Sequence, residues 1–195
     1  MSQAFRQVMR TLSYPTMIVT SAIPKGTKPL DFHGLTISSM TSLSINPKPL
    51  IQFNIKTPSG TSANIKKNKI FAIHFLEPKE TNINLAKQFS RGIKDKMTRP
   101  FSCLIENKDY ICYDSVSFSS QPNIMLPILK NTGKILICLS KDVFKVEDHE
   151  IWVGEVLEIL PSQNHNEYNS NSNTISSDGG LLHCMGHFFK IGDSI

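Results

Sequence analysis

The sequence lacks any long hydrophobic run, although hydrophobic residues make up 39% of its 195 positions. A membrane-spanning helix needs a run of about 20 apolar residues, and no segment approaches that length. The N-terminus also lacks the compact apolar region of a secretory signal. We therefore expect an intracellular protein with no membrane partner, folded as one domain with a packed core.

Closely spaced cysteines are also absent. The four cysteines, Cys103, Cys112, Cys138 and Cys184, form no C-x-x-C pair. This spacing argues against a zinc site and against a disulfide framework, so we expect no bound metal and reduced thiols.

Two nucleotide-binding signatures are missing. Gly179-Gly180 is too short for a G-x-G-x-x-G fingerprint, so a Rossmann domain is not expected. The formal charge of +5 comes without a long basic run that contains aromatic residues, which argues against nucleic-acid binding. The basic surface is either simply solvated or attracts a small anionic ligand such as a nucleotide.

The N-terminal region contains no acidic residue before Asp31, and Arg6 and Arg10 lie on a short amphipathic segment. This composition resembles a weak mitochondrial address. The predicted compartment is therefore the cytoplasm or the mitochondrion.

Apolar periodicity predicts a mainly β protein with a few short helices. The i, i+3, i+4, i+7 spacing predicts a helix from Phe5 to Leu12, and polar caps predict two more, at about 61–67 and 82–90. β-branched and alternating segments predict strands. Many short strands with few helices are typical of a barrel. The predicted strands are 16–21, 35–41, 50–55, 70–76, 134–139 and 148–160, the last two as hairpin neighbours.

Two segments do not follow a clear period. Residues 91–130 predict irregular structure with a strand near Tyr110 and Ser117. Residues 162–178 are rich in Asn and Ser and poor in apolar residues, which predicts a flexible insertion. Apolar residues return at Leu181 and Phe188, so the last strand should belong to the fold.

Hydroxyl residues recur between His33 and Asn54. They supply uncharged donors and acceptors, which suits a flat polar heterocycle or a phosphate. The alternative is that they satisfy backbone groups or solvent, as most such residues do. The residues are Thr36, Ser38, Ser39, Thr41, Ser42 and Ser44.

A turn and a predicted helix start follow this stretch. Asn54, Lys56, Ser59 and Thr61 lie where free backbone N–H groups and the helix dipole favour a phosphate, and Lys56 adds a positive charge. The alternative is an ordinary capped turn.

These motifs together resemble the flavin reductase-like family, whose members bind flavin mononucleotide on a split β-barrel. The resemblance covers about nine tenths of the chain, and it depends on motif order and spacing rather than on any single motif. The motif residues are Phe5, Arg6, Met9, Leu12, Tyr14–Thr20, His33–Ser39, Ser42–Ser44, Pro47, Pro49, Asn54, Pro58-Ser59, Phe71, His74, Leu76, Asn84–Ala86, Phe89-Ser90, Asp148-His149, Gly154–Val156, Gly180–Leu182 and His187-Phe188.

The resemblance implies an FMN-binding split β-barrel with flanking short helices, active as a homodimer whose flavin site lies at the dimer interface. It implies an oxidoreductase that binds FMN, with FAD as an alternative, and that takes hydride from NADH or NADPH. Thr36, Ser38, Ser39, Ser42 and Ser44 would line the flavin, and Asn54, Lys56, Ser59 and Thr61 would form its phosphate end.

Other residues carry over from the family. Ala86, Phe89 and Ser90 resemble a stretch near the flavin, with core packing as the alternative for Phe89. His149 would lie near the flavin and the nicotinamide in a positional role, and His187 belongs to a closing His-aromatic motif. Because neighbouring residues on a strand face opposite sides, Asp148 is not expected to orient His149 directly.

The sequence departs from the family at Pro47-Lys48-Pro49, where the family often has adjacent prolines, and at the 162–178 insertion.

The alternative function is a non-catalytic split barrel that binds little or no flavin and works as an interaction or assembly protein. A heme- or pyridoxamine-phosphate-handling relative on the same barrel has no matching motif.

Overall fold

The computed structural model describes residues 1–91, 99–114, 125–162 and 179–192. Three α-helices occur in these ranges: α1 (Ser2–Arg10), α2 (Gly60–Asn68) and α3 (Glu80–Ser90). All three predicted helices are therefore confirmed, with shifted ends. Among the described residues, no helix has the length and apolar character needed to cross a membrane.

Strands dominate the described residues, which confirms the mainly β prediction. Their bounds are β1 (Tyr14–Pro15), β2 (Met17–Ala22), β3 (Phe32–Ile37), β4 (Thr41–Ser44), β5 (Leu50–Lys56), β6 (Ile70–Phe75), β7 (Tyr110–Asp114), β8 (Met125–Leu129), β9 (Ile135–Val146), β10 (His149–Leu160), β11 (Leu182–Cys184) and β12 (His187–Phe189).

The main sheet is antiparallel and has seven strands in the order β3-β2-β6-β9-β10-β5-β4. β3 and β4 follow each other in sequence but lie at opposite edges of the sheet. The chain therefore crosses between the two edges at residues 38–40. The Asn54 backbone N–H donates to Ser39 Oγ at 2.9 Å, so this crossing is fastened to β5.

This crossing makes the predicted continuous strand 35–41 wrong. The alternating pattern is real on each side, but Ser38, Ser39 and Met40 turn the chain from one edge to the other. Two strands with the same alternation of apolar and polar residues look like one strand in the sequence when only a short connection separates them.

The core lies against the inner side of the sheet. All six residues of β2 are buried, and the largest fully buried side chain is Trp152 of β10, which packs with Phe53 and Phe71. A second cluster under α3 contains Phe32, Phe89 and Phe101. The β9–β10 hairpin is confirmed, although β9 is longer than predicted.

The remaining strands form two small sheets. β7 pairs with β8, so the predicted strand near Tyr110 is confirmed, whereas Ser117 and residues 163–178 of the predicted insertion lie outside the described residues. β1, β11 and β12 form a separate three-stranded sheet. The last strand therefore belongs to the fold, as expected, but not to the main sheet.

Candidate functional site

The outer side of the β4-β5-β10-β9 part of the sheet carries many of the predicted site residues. Gln52, Asn54 and Lys56 of β5 alternate with the buried Ile51, Phe53 and Ile55. Directly paired residues share a face of a sheet. The rows are therefore Thr41–Gln52–Val153–Asp142, Asn54–Ile151–Phe144 and Lys56–His149–Val146. We call these residues the outer face.

Hydroxyl and amide groups link the strands of the outer face. Gln52 Nε2 donates to Thr41 Oγ1 at 3.2 Å. Ser39 Oγ, at the edge of this face, accepts from the Asn54 backbone N–H and lies 3.5 Å from the Asn54 carbonyl oxygen. Asn54 itself is exposed on this face.

Asp148 joins two predicted site residues. Its carboxylate lies 2.7 Å from Nδ1 of His149 and 3.4 Å from Nζ of Lys56. The hydrogen bond from His149, together with Lys56, holds the pKa of Asp148 below its ordinary value. The expectation that Asp148 would not orient His149 is therefore wrong. Asp148 lies in the β9–β10 turn, after Glu147 at a φ of 50°, so strand alternation does not apply to it.

The β9–β10 turn also contacts the segment between β5 and α2. The Thr57 backbone N–H donates to the Asp148 carbonyl at 2.8 Å. Ser59 then caps α2, because its Oγ accepts from the Ser62 backbone N–H at 3.3 Å. The first N–H groups of a helix have no intrahelical acceptor. The backbone amides of Gly60 and Thr61 therefore lie at an end of α2 that favours an anion.

A buried carboxylate supports the first turn of α2. Ser62 Oγ donates to Glu150 Oε2 at 2.6 Å, and Lys66 forms an ion pair with Glu150 Oε1. Burial raises the pKa of Glu150, but the hydrogen bonds from Lys66 and Ser62 outweigh it and leave that pKa below its ordinary value. Glu150 is therefore charged at neutral pH and fixes α2 on β10.

His33 packs against the start of α2. A Cβ at Gly60 would overlap the His33 imidazole, so only glycine fits there. His33 Nδ1 is buried and has no hydrogen-bond partner in the described part of the chain. Burial, with a smaller contribution from Arg99, lowers the pKa of His33. A neutral imidazole with an unsatisfied nitrogen thus lies beside the predicted phosphate end.

β3 and α3 meet on the other side of the crossing. Thr36 Oγ1 donates to the Ala86 carbonyl at 2.7 Å, so its proton is used in joining β3 to α3. Phe89 is buried, its ring lies within 2.6 Å of the Cβ position at Gly34, and it packs edge-to-face on Phe101. Of the two interpretations of Phe89, the structure favours core packing.

The other predicted site residues are more dispersed. Ser42 is exposed on β4, Ser38 is half-buried in the crossing, and Ser44 Oγ donates to the Asn46 carbonyl. Thr61 is buried, and Ser90 Oγ donates to the Lys87 carbonyl of its own helix. His187 lies on β12, in a different sheet from the outer face, beside Phe189.

Sequence reasoning missed three residues that touch this site: His33, Ser62 and Glu150. The sequence places His33 in a family motif but assigns it no contact with a ligand. His74 is structural, because its Nδ1 lies 3.1 Å from the Ile18 carbonyl and its Nε2 accepts from the Leu129 N–H. The signal for Glu150 was available, since it is an acidic residue at an inward position of an alternating strand.

Exposed apolar side chains lie on the outer face and beside it. Phe144 is 55% exposed and Val146 is 50% exposed on β9, and Leu43 and Ile45 are exposed along the β4 edge. Exposed apolar groups clustered beside polar ones are typical of a surface that another molecule covers.

Comparison with known proteins identifies the family. The family profile described as "Flavin reductase like domain" matches residues 9–192. An NADH:riboflavin 5'-phosphate oxidoreductase of Streptomyces pristinaespiralis is 24% identical over 157 residues, which cover 80% of this chain and 76% of that protein.

Solved structures share the fold. A flavin reductase domain protein from Arthrobacter sp. FB24 superimposes with a TM-score of 0.70 at 20% identity, over 100% of this chain and 98% of its own. The NADH:FAD oxidoreductase SgcE6 of Streptomyces globisporus C-1027 does so with a TM-score of 0.70 at 18% identity, over 100% and 95%. The predicted fold and family are confirmed, and this chain belongs to the flavin reductase-like family.

Proposed function

We propose that this chain is an oxidoreductase that binds FMN non-covalently and transfers reducing equivalents from NADH or NADPH to free flavin or to another acceptor. The observation that carries the proposal is the junction of the outer face with the start of α2. At this junction, uncharged hydrogen-bonding groups at Ser39 and Asn54 lie next to Lys56 and the N-terminal backbone amides of α2.

The residues at this junction suit the two ends of FMN. An isoalloxazine ring needs an apolar surface with a few fixed hydrogen-bonding groups. The crossing at Ser38-Ser39 and the side chain of Asn54 supply the hydrogen-bonding groups. A phosphate needs backbone N–H groups at a helix start and a positive charge, which Gly60, Thr61 and Lys56 supply. The unsatisfied Nδ1 of His33 beside Gly60 indicates an additional polar group that a ligand could satisfy.

FMN, when bound, would supply the hydride-accepting chemistry, and the protein supplies placement and electrostatics. Nδ1 of His149 lies 2.7 Å from the Asp148 carboxylate, so this contact fixes the orientation of the ring and leaves Nε2 on the side away from Asp148. We assign His149 a positional role toward the nicotinamide donor rather than an obligatory proton transfer. FAD remains the alternative flavin, because the junction is open on the outer face.

We also propose that a second copy of the chain covers the outer face. Phe144 and Val146 lie on this face, Leu43 and Ile45 lie at its β4 edge, and all four are about half exposed or more. A flavin on this face would lie against an open surface in one copy alone, and a partner copy would exclude water from it. The cytoplasm or the mitochondrion stays the predicted compartment.

Steady-state oxidation of NADH and NADPH by the purified protein, with and without added FMN, tests the function. We expect FMN-dependent oxidation. Ser39→Leu and Ser59→Leu should each greatly reduce FMN binding, because the larger side chain fills the junction and removes its hydrogen bonds. Ser13→Leu is the matched control, since Ser13 is exposed and lies before β1.

The outcomes separate the two functions predicted from the sequence. Unchanged FMN binding in folded Ser39→Leu and Ser59→Leu variants would move the site elsewhere. A protein that binds neither FMN nor FAD and oxidises neither nucleotide would instead favour the non-catalytic interaction protein.

A further inference from the structure

We infer that Glu150 is a positioning residue for the flavin phosphate: through Ser62 it sets the place and direction of the free amides of α2. The inference rests on the proposed function, because it assumes that these amides bind the phosphate. Glu150 itself lies below the helix start and is 5% exposed.

A continuous series of contacts joins Glu150 to the helix start. Glu150 accepts from the Ser62 hydroxyl at 2.6 Å, and the Ser62 backbone N–H donates to Ser59 Oγ at 3.3 Å. The backbone N–H of Ala63 donates to the Ser59 carbonyl at 3.0 Å. Ser62 is therefore held at both its side chain and its backbone, and the amides of Gly60 and Thr61 remain for a ligand.

The charge of Glu150 makes this arrangement selective for one helix position. A buried carboxylate is costly unless it is paired and hydrogen-bonded. Ser62 and Lys66 satisfy it, and both belong to α2 at positions four residues apart, on one face of the helix. A small rotation or shift of α2 would break at least one of these contacts, so the carboxylate selects a single register of α2 on β10.

Glu155 provides a matched control on the same strand. It is 7% exposed and forms ion pairs with Lys48 at 2.6 Å and Lys141 at 3.1 Å. These partners lie on the β4–β5 connection and on β9, away from α2. Replacing Glu155 therefore removes a similar paired carboxylate without touching the helix start.

The experiment compares the dissociation constants of FMN and riboflavin, which differ by the phosphate alone, for wild type and five variants. The variants are Glu150→Ala, Glu150→Gln, Ser62→Ala, the double variant Ser62→Ala/Glu150→Ala, and Glu155→Ala. Fluorescence quenching of the flavin gives both constants, and the thermal unfolding midpoint of each variant is recorded alongside.

We expect Glu150→Ala to weaken FMN binding about tenfold and riboflavin binding less than about twofold, since helix-terminus and charge-assisted contacts have this magnitude. Ser62→Ala should reproduce that selective loss, and the double variant should add little to it. Glu150→Gln should lose less, because its carbonyl oxygen can still accept from Ser62. Glu155→Ala should leave the ratio of the two constants unchanged.

Failure of the positioning role and failure of the proposed phosphate site give different results. If wild type prefers FMN over riboflavin but Glu150→Ala and Ser62→Ala keep that preference, the positioning role is wrong and the proposed function stands. An equal loss of preference in Glu155→Ala also overturns it, because a general effect of stability would then explain the result. If wild type binds FMN and riboflavin equally, the phosphate site and the positioning role both fail. Should Glu150→Ala not fold, Ser62→Ala and Glu150→Gln decide the same question.

Discussion

The two sides of the barrel differ in how their strands are buried. On one side, β2 is buried at all six residues and β6 at five of six, because helices and β8 cover the sheet from outside. On the other side, β5 and the first half of β10 alternate between buried and open positions. The first side is apolar on both faces, and the second side is apolar on one.

This contrast separates the residues that determine the fold from those proposed to bind ligand. The covered side has little polar surface, and its few polar side chains, such as His74, bond to the backbone. The open side presents amide, hydroxyl and charged groups beside exposed apolar ones. The proposed flavin and a second copy would both use the side that the chain leaves uncovered.

The largest expected effect on stability comes from alanine substitutions on the two faces of β10. Trp152→Ala should lower the free energy of unfolding by about 3–5 kcal/mol, because it removes a fully buried indole from the core. Ile151→Ala, its neighbour on the outer face, should cost less than about 1 kcal/mol. Urea unfolding measures both, and similar losses would contradict the assignment of the two faces.

The next effect tests the covered side by pH. Burial lowers the pKa of His74 to about 4. The unfolded chain, with a histidine pKa of about 6.5, binds the proton first, so stability is lost as the pH falls from about 6.5 toward 4. We expect about 2 kcal/mol less stability from this residue at pH 5 than at pH 7.5. In the His74→Gln variant, the difference between the two pH values should shrink by that amount.

A smaller effect tests the open side as a dimer surface. Phe144→Asp should raise the dimer dissociation constant at least about tenfold, since it places a charge in an apolar contact. Lys145→Ala, one residue away, is the control. Light scattering across a dilution series gives the constant. If the wild-type protein is monomeric at every concentration, the proposal that a second copy covers the outer face is wrong.

The smallest effect concerns the turn at Asp148. Asp148→Asn should lower kcat/KM for the nicotinamide donor severalfold without changing stability, because Lys56 and His149 lose a shared charged partner. Glu80→Gln, which neutralises an exposed carboxylate at the start of α3, should leave kcat/KM unchanged. A stability loss in Asp148→Asn would instead assign the carboxylate a structural role.

The sequence predicted elements that carry a clear local signal. The helices at 61–67 and 82–90, the β9–β10 hairpin and the mainly β class are all confirmed. Polar caps indicate the two helices, apolar and β-branched residues indicate the strands, and these local preferences agree with the tertiary packing. The family was also predicted, because motif order along the chain carries information that single motifs lack.

The rest depended on contacts between distant segments. The break at Ser38–Met40 arises because β3 and β4 lie at opposite sheet edges, which no local pattern reveals. The Asp148–His149 contact follows from a turn conformation, and the Glu150–Ser62 contact joins residues 88 positions apart. The roles predicted for Thr36, Ser39, His149 and His187 stay predictions.

The most direct measurement is the visible absorbance of the purified protein, followed by titration with FMN. We predict either a flavin spectrum that disappears on Ser39→Leu substitution, or saturable uptake of added FMN that the Ser13→Leu control retains. A colourless protein that takes up neither FMN nor FAD would contradict a flavin site on the outer face.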